Sequence, residues 1–144
     1  MPMEILLVED SPGDIRLTRE AFKDAKVHIN LSVAMDGIEA MSFLWREEKY
    51  ANAPRPDLIL LDLNLPKKDG REVLAEIKES PTLKTIPVVI LTTSAFEMDI
   101  LRSYESHANS YISKPVGLDG FLEVVKSIDG FWLSVVKLPR DAQS

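Results

Sequence analysis

Four short apolar runs in this chain are each followed by a residue able to do chemistry. Glu9-Asp10 follows Ile5-Leu6-Leu7-Val8, Asp62 follows Leu58-Ile59-Leu60-Leu61, Thr92-Thr93-Ser94 follows Val88-Val89-Ile90-Leu91, and Lys114-Pro115 follows Tyr111-Ile112 at one residue's remove. If these run ends share one edge of a sheet, three acids converge. Carboxylates a few ångströms apart raise each other's pKa values unless a cation neutralises them. With oxygen ligands and room for water, the natural cation is Mg²⁺. Carboxylates, a hard metal, a hydroxyl and a lysine are together the parts that transfer a phosphoryl group and hold the product. Asp62, central among them, is the expected nucleophile, giving an aspartyl phosphate. Asp10 and Glu9 then hold the metal, directly or through water, while Thr92 and Lys114 neutralise or hydrogen-bond the phosphoryl oxygens. Singly, each residue has a blander reading: Asp10 as a helix cap, Thr92 as a turn residue, Lys114 as a solvated surface charge. Their convergence is what favours the chemistry.

Such convergence needs a scaffold, and the hydrophobic pattern supplies one. Strand-like runs recur at residues 4–8, 29–34, 57–61, 87–91 and 110–112. Helical patterns alternate with them: Ile15, Thr18, Phe22 and Ala25; Ile38, Met41, Leu44 and Trp45; Val73, Leu74 and Ile77; Ile100, Leu101 and Tyr104; Leu118, Phe121, Leu122 and Val125. The runs at Leu58 and Val88 are continuously apolar, as expected of parallel strands covered by helices on both faces. Right-handed crossovers then give an α/β doubly wound (βα)5 sheet of flavodoxin-like type, ordered 2-1-3-4-5. In that order the strand direction of progression reverses between strands one and three, where a ligand site is expected. Ser11-Pro12 and Asp36-Gly37 open helices, Asp69-Gly70 closes the turn before the third, and Ser80-Pro81 and Pro87 bracket the loop to strand four. The 46–56 stretch, with Glu47-Glu48-Lys49 and two prolines, is expected to be a long surface connection.

Composition narrows the function. The 144 residues, 45% of them hydrophobic, suit one domain spanning 1–144, with 128–144 as a C-terminal extension. No apolar run approaches the ~20 residues of a membrane span, and Glu9-Asp10 interrupts the first run, so no signal peptide is expected. The expected location is the cytoplasm. There is no cysteine, so a metal must be held by oxygen or by His28 and His107. A net charge of −6 opposes nucleic-acid binding as a global field.

The ordered set Ile5-Leu6-Leu7-Val8-Glu9-Asp10, Leu60-Leu61-Asp62-Leu63-Asn64-Leu65-Pro66 with Asp69-Gly70, Val89-Ile90-Leu91-Thr92, and Lys114-Pro115 resembles the response-regulator receiver domain of two-component signalling. The resemblance covers almost the whole chain. It implies that Asp62 is the phosphoacceptor, Glu9 and Asp10 are the metal acids, and the backbone carbonyl of Asn64 completes the Mg²⁺ shell. Thr92 and Lys114 resemble the switch hydroxyl and the phosphate-binding lysine, and Tyr111 the aromatic that moves inward when Thr92 engages the phosphoryl group. The Lys114-Pro115 bond is implied to be cis. The segment 9–14, the segment 62–70 and the extended tail further resemble small single-domain regulators paired with bacterial phytochrome kinases. Glu9, where two aspartates are usual, departs from the family pattern.

The resemblance implies a phosphorylation-controlled binding module that takes its phosphoryl group from a histidine kinase and switches the face formed by helix four, strand five and helix five. The alternative from another class is a Mg²⁺-dependent phosphohydrolase passing through an aspartyl phosphate. It would need an acid two residues beyond the nucleophile, where this chain has Asn64. A flavin site would need a hydroxyl- and glycine-rich loop after strand one, where Glu9 and Asp10 repel phosphate. Finally, Val124, Phe131 and Leu138 recur every seven residues beside the stripe that packs the last helix on the sheet, so a homodimer through the C-terminal helix is expected.

Overall fold

The computed structural model describes residues 2–23, 28–92 and 110–127. The elements run β1 (Met3–Val8), α1 (Pro12–Lys23), β2 (Ile29–Ala34), α2 (Gly37–Leu44), β3 (Leu58–Asp62), α3 (Gly70–Glu79), β4 (Val88–Thr92), β5 (Ser110–Ser113) and α4 (Leu118–Ser127), with a 3-10 turn at Glu48–Tyr50. The strands form one five-stranded sheet in the order β2-β1-β3-β4-β5, and every pairing is parallel. This is the expected doubly wound fold. Helix α4 is the fifth helical pattern of the sequence; the fourth, at 100–104, and the 128–144 extension lie outside the described residues. No helix among the described residues is long and apolar enough to cross a membrane.

All residues of β3 and β4 are buried, because a parallel sheet covered on both faces has no wet side. Side-chain alternation divides the core into two layers. Leu6, Val8, Ile59, Leu61, Val88 and Ile90 pack with α2 and α3. Ile5, Leu7, Leu58, Leu60, Val89 and Leu91 pack with Phe22 of α1 and Phe121 of α4, whose rings meet with centroids 4.6 Å apart.

The helix starts follow their caps. Asp36 accepts a hydrogen bond from the Glu39 amide at 2.7 Å, Asp69 accepts one from the Arg71 amide at 3.1 Å, and Ser11 Oγ accepts one from the Asp14 amide at 3.3 Å. Such caps satisfy amides that the first helical turn leaves unpaired.

Two details differ from the sequence reading. Strands β3 and β4 each begin and end one residue later than the runs 57–61 and 87–91, so Asp62 and Thr92 are the last residues of their strands. In α2 the buried face is Gly37, Ala40, Met41, Phe43 and Leu44, whereas Ile38 and Trp45 are exposed. This helix is apolar nearly all round, so its own periodicity cannot choose a face. The 46–56 connection is anchored to α2: Tyr50 donates a hydrogen bond to Glu39 at 2.9 Å and sets its ring edge-on to Phe43.

Candidate functional site

Parallel pairing of β1 with β3 sets Val8 beside Leu61, so the chain leaves β1 as Glu9-Asp10 next to Asp62. On the other flank, Asp62 is in register with Leu91 and Thr92 with Ser113. The site is therefore the carboxyl edge of the sheet at its topological switch point. Each of Glu9, Asp10 and Asp62 offers a carboxylate oxygen within 4.8 Å of the others. Glu9 and Asp62 are buried and Asp10 is exposed.

Lys114 reaches into this group from beyond β5. Its amide donates to the Thr92 carbonyl at 2.8 Å, and the Lys114-Pro115 bond is cis, as the resemblance implied. The ammonium lies 2.8 Å from Asp62 Oδ2, 2.7 Å from Glu9 Oε2 and 3.3 Å from Asp14 Oδ2. With a side chain only 10% exposed, it is not the solvated surface charge of the blander reading. Burial alone would lower its pKa, but the hydrogen bond to Asp62 and the attraction of the close Asp62 and Glu9 carboxylates outweigh this and raise it. Lys114 is therefore a fixed cation.

Burial pushes the Glu9 carboxyl up from the ordinary carboxylate range, against the lowering effects of Lys114 and of the Ser11 amide, which donates to Oε1 at 3.1 Å. Glu9 Oε2 is close to the ammonium, yet that contact lacks hydrogen-bond geometry, and the buried oxygen receives no directed hydrogen bond. Buried oxygens of this kind are expected to find a partner. A carboxylate cluster with such an atom at its base fits a hard divalent cation.

The second oxygen of Asp62 is held from the following loop. Asn64 donates its amide to Oδ1 at 3.0 Å, and the Gly70 amide closes that loop onto the Leu63 carbonyl at 2.9 Å. Thr92 is buried at the end of β4. Tyr111 is half-buried against the α2–α3 layer, on the neighbouring strand and in register with Ile90. By strand alternation Thr92, two residues after Ile90, falls on the same face of the sheet as Tyr111. His28 precedes β2, at the opposite edge of the sheet from the acids, and His107 is outside the described residues.

One participant was missed. Asp14 lies in the first turn of α1, which begins directly after Glu9-Asp10. That adjacency, in the run Glu9-Asp10-Ser11-Pro12-Gly13-Asp14, is the signal that could have found it.

Fold and site define a class of protein that family comparison identifies. The pattern described as "Response regulator receiver domain" matches residues 5–126. The chain belongs to that family and is a signalling protein of the response-regulator class. It is 54% identical over 138 residues to "Response regulator Rcp1" of Synechocystis sp., covering 96% of this chain and 94% of the relative. The solved Mn²⁺-bound form of Rcp1 covers 92% of this chain and 95% of its own, with a TM-score of 0.73 and 55% identity. The phosphorylated cyanobacterial phytochrome response regulator RcpA aligns with a TM-score of 0.75 and 57% identity, over 93% of this chain and 96% of its own. The bacteriophytochrome response regulator AtBRR aligns with a TM-score of 0.85 and 42% identity, over 92% and 96%.

Proposed function

We propose that this chain accepts a phosphoryl group on Asp62 from a phytochrome-type histidine kinase in the cytoplasm and passes the signal on by contact. The observation that carries the reading is the setting of Asp62. One oxygen faces the Lys114 ammonium, the other is oriented by the Asn64 amide, and two further acids lie alongside. The phytochrome assignment rests on Rcp1, RcpA and AtBRR, the last two being described as phytochrome or bacteriophytochrome regulators.

In the reaction an oxygen of Asp62 attacks the phosphorus of a phosphohistidine. The new P–O bond forms as the P–N bond breaks, with its electron pair left on the imidazole nitrogen. Nucleophile and donor are both anionic, so charge must be neutralised first. Glu9, Asp10, Asp62 and the Asn64 carbonyl would hold Mg²⁺, which when bound supplies charge neutralisation at the phosphoryl oxygens. Lys114 and Thr92 meet the remaining oxygens. Asn64, exposed and without an acidic function, offers nothing to protonate a leaving group as a phosphohydrolase would require.

The expected result is one phosphate per chain after incubation with acetyl phosphate and Mg²⁺, read by intact-mass spectrometry, and none in Asp62→Asn or in excess chelator. Equal incorporation by the variant, or with the metal removed, would exclude Asp62 as the metal-dependent acceptor.

A further inference from the structure

The signalling site occupies the carboxyl edge of the sheet and leaves the opposite edge unused. There the end of α2, the 46–56 connection and the loop before β4 line a half-open cavity of about 200 Å³. Leu44, Pro56 and Leu83, all buried, are among its lining residues. Trp45 contributes a wall: it is 41% exposed, yet held in place because its indole N–H donates to Glu76 at 3.1 Å. Arg46 and Arg55, both exposed, complete the lining.

Charge separates this cavity from an ordinary surface dent. The left-handed φ of 55° at Arg46 is the ordinary close of α2: the Arg46 amide donates to the Phe43 carbonyl at 3.1 Å and the Glu47 amide to the Ser42 carbonyl at 2.9 Å, the paired bonds of a left-handed helix cap. In a chain of net charge −6, neither arginine forms an ion pair among the described residues. Arg55 donates only to the Thr85 hydroxyl, at 2.9 Å.

Size and charge together select the occupant. Small-molecule sites usually enclose ~300–1,000 Å³, whereas this volume suits one or two apolar side chains. A pocket of that size beside a tryptophan and arginines has the composition of an interface anchor point, and two unpaired guanidiniums favour carboxylates next to the anchor. We propose that this edge docks an acidic segment of a partner protein, seating an apolar side chain in the cavity between Trp45 and Leu83 and pairing flanking carboxylates with Arg46 and Arg55. The inference does not depend on Asp62 chemistry, because the pocket lies a strand length away from it.

The test uses the full unphosphorylated chain, labelled with ¹⁵N, and two blocked peptides sharing a Leu-Phe core: Asp-Glu-Leu-Phe-Glu and Lys-Lys-Leu-Phe-Lys. The acidic peptide is expected to shift the Trp45 indole and the Thr82 and Leu83 amides, with an affinity that falls as salt is added. Arg46→Glu with Arg55→Glu is expected to weaken it about tenfold or more, while resonances around Asp62 stay in place as a control for folding. Arg46→Ala alone, which spares the Thr85 contact, is expected to give a partial loss. Equal binding of the two peptides, shifts centred elsewhere, an affinity indifferent to both arginines, or no binding at millimolar peptide would overturn the proposal.

Discussion

At the scale of single residues, the site is organised by one ammonium shared among three carboxylates. The raised pKa of Lys114 gives a stabilising contribution that is fully present below the ordinary lysine value and lost only as pH rises through the higher folded value. The cation therefore persists across the neutral range. Glu9 and Asp10 are not equivalent under it. Glu9 is buried and already faces Lys114, and burial favours its protonated form; Asp10 is exposed, has no ion pair among the described residues and has the shorter side chain at the strand end. The expected outcome is that Asp10→Asn weakens Mg²⁺ binding by about tenfold or more, and that Glu9→Gln weakens it less. Isothermal titration of the two variants checks this, and equal losses would refute the ranking.

At the scale of elements, the loop from β3 to α3 aims Asp62 and is clipped down along its length. Lys67 has φ 66° and lies 3.5 Å from Asp36, and Lys68 pairs with Glu76. At the end of the loop Gly70 passes so close to β3 that an added Cβ would stand 2.3 Å from the Asp62 carbonyl oxygen and 2.5 Å from Leu63 Cα. Both obstacles are backbone, so neither can turn aside. Gly70→Ala is expected to cost about 1–3 kcal/mol of stability, measured by urea unfolding, and to slow phosphorylation by acetyl phosphate at temperatures where the variant remains folded. Wild-type stability in Gly70→Ala would show that the loop is not pinned there. The strands were legible because β3 and β4 are buried on both faces and cannot alternate. Glu9, Asp10, Asp62 and Lys114 were legible because each lies at or just past the carboxyl end of a strand, so the parallel topology alone brings them to one edge. Which face α2 buries was not legible, since Ile38, Ala40, Met41, Phe43, Leu44 and Trp45 nearly surround the helix and only the neighbouring α3 and β2 decide among them. Nor was the pairing of Asp14 with Lys114, which joins residues 100 positions apart, or the left-handed turns at Arg46 and Glu48, where neither residue type announces a positive φ.

At the scale of the whole molecule, the proposed phosphoryl group must be sensed by a surface that does not touch Asp62. Thr92 and Tyr111 share one face of adjacent strands, so drawing Thr92 toward the phosphoryl group would open space for the half-buried ring. Nearly complete reversal of such a two-state equilibrium takes roughly 5.5 kcal/mol of differential stabilisation, within reach of a new dianion with charge-assisted hydrogen bonds. Thr92→Ala is therefore expected to abolish most of the phosphorylation-induced amide shifts around Tyr111; their survival in full would break the coupling. A second copy of the chain is the partner proposed to read that face. Leu118, Phe121 and Leu122 hold α4 on the sheet, and the apolar pattern continues through Val125, Ile128, Trp132 and Val135, the last three outside the described residues. In the sequence, Val124 recurs at seven-residue spacing with Phe131 and Leu138, which lie outside the described residues, and a helical extension carrying this second apolar stripe would need a partner to cover it. Covering two or three such side chains contributes about 1.5–3 kcal/mol each before the cost of association. Gly130 opposes a continuous helix by about 1 kcal/mol, less than one buried side chain returns. Sedimentation at micromolar concentration is expected to show a dimer that Phe131→Glu dissociates. A monomer whether or not Asp62 is phosphorylated, or a dimer that tolerates the glutamate, would remove the C-terminal helix as the dimer contact.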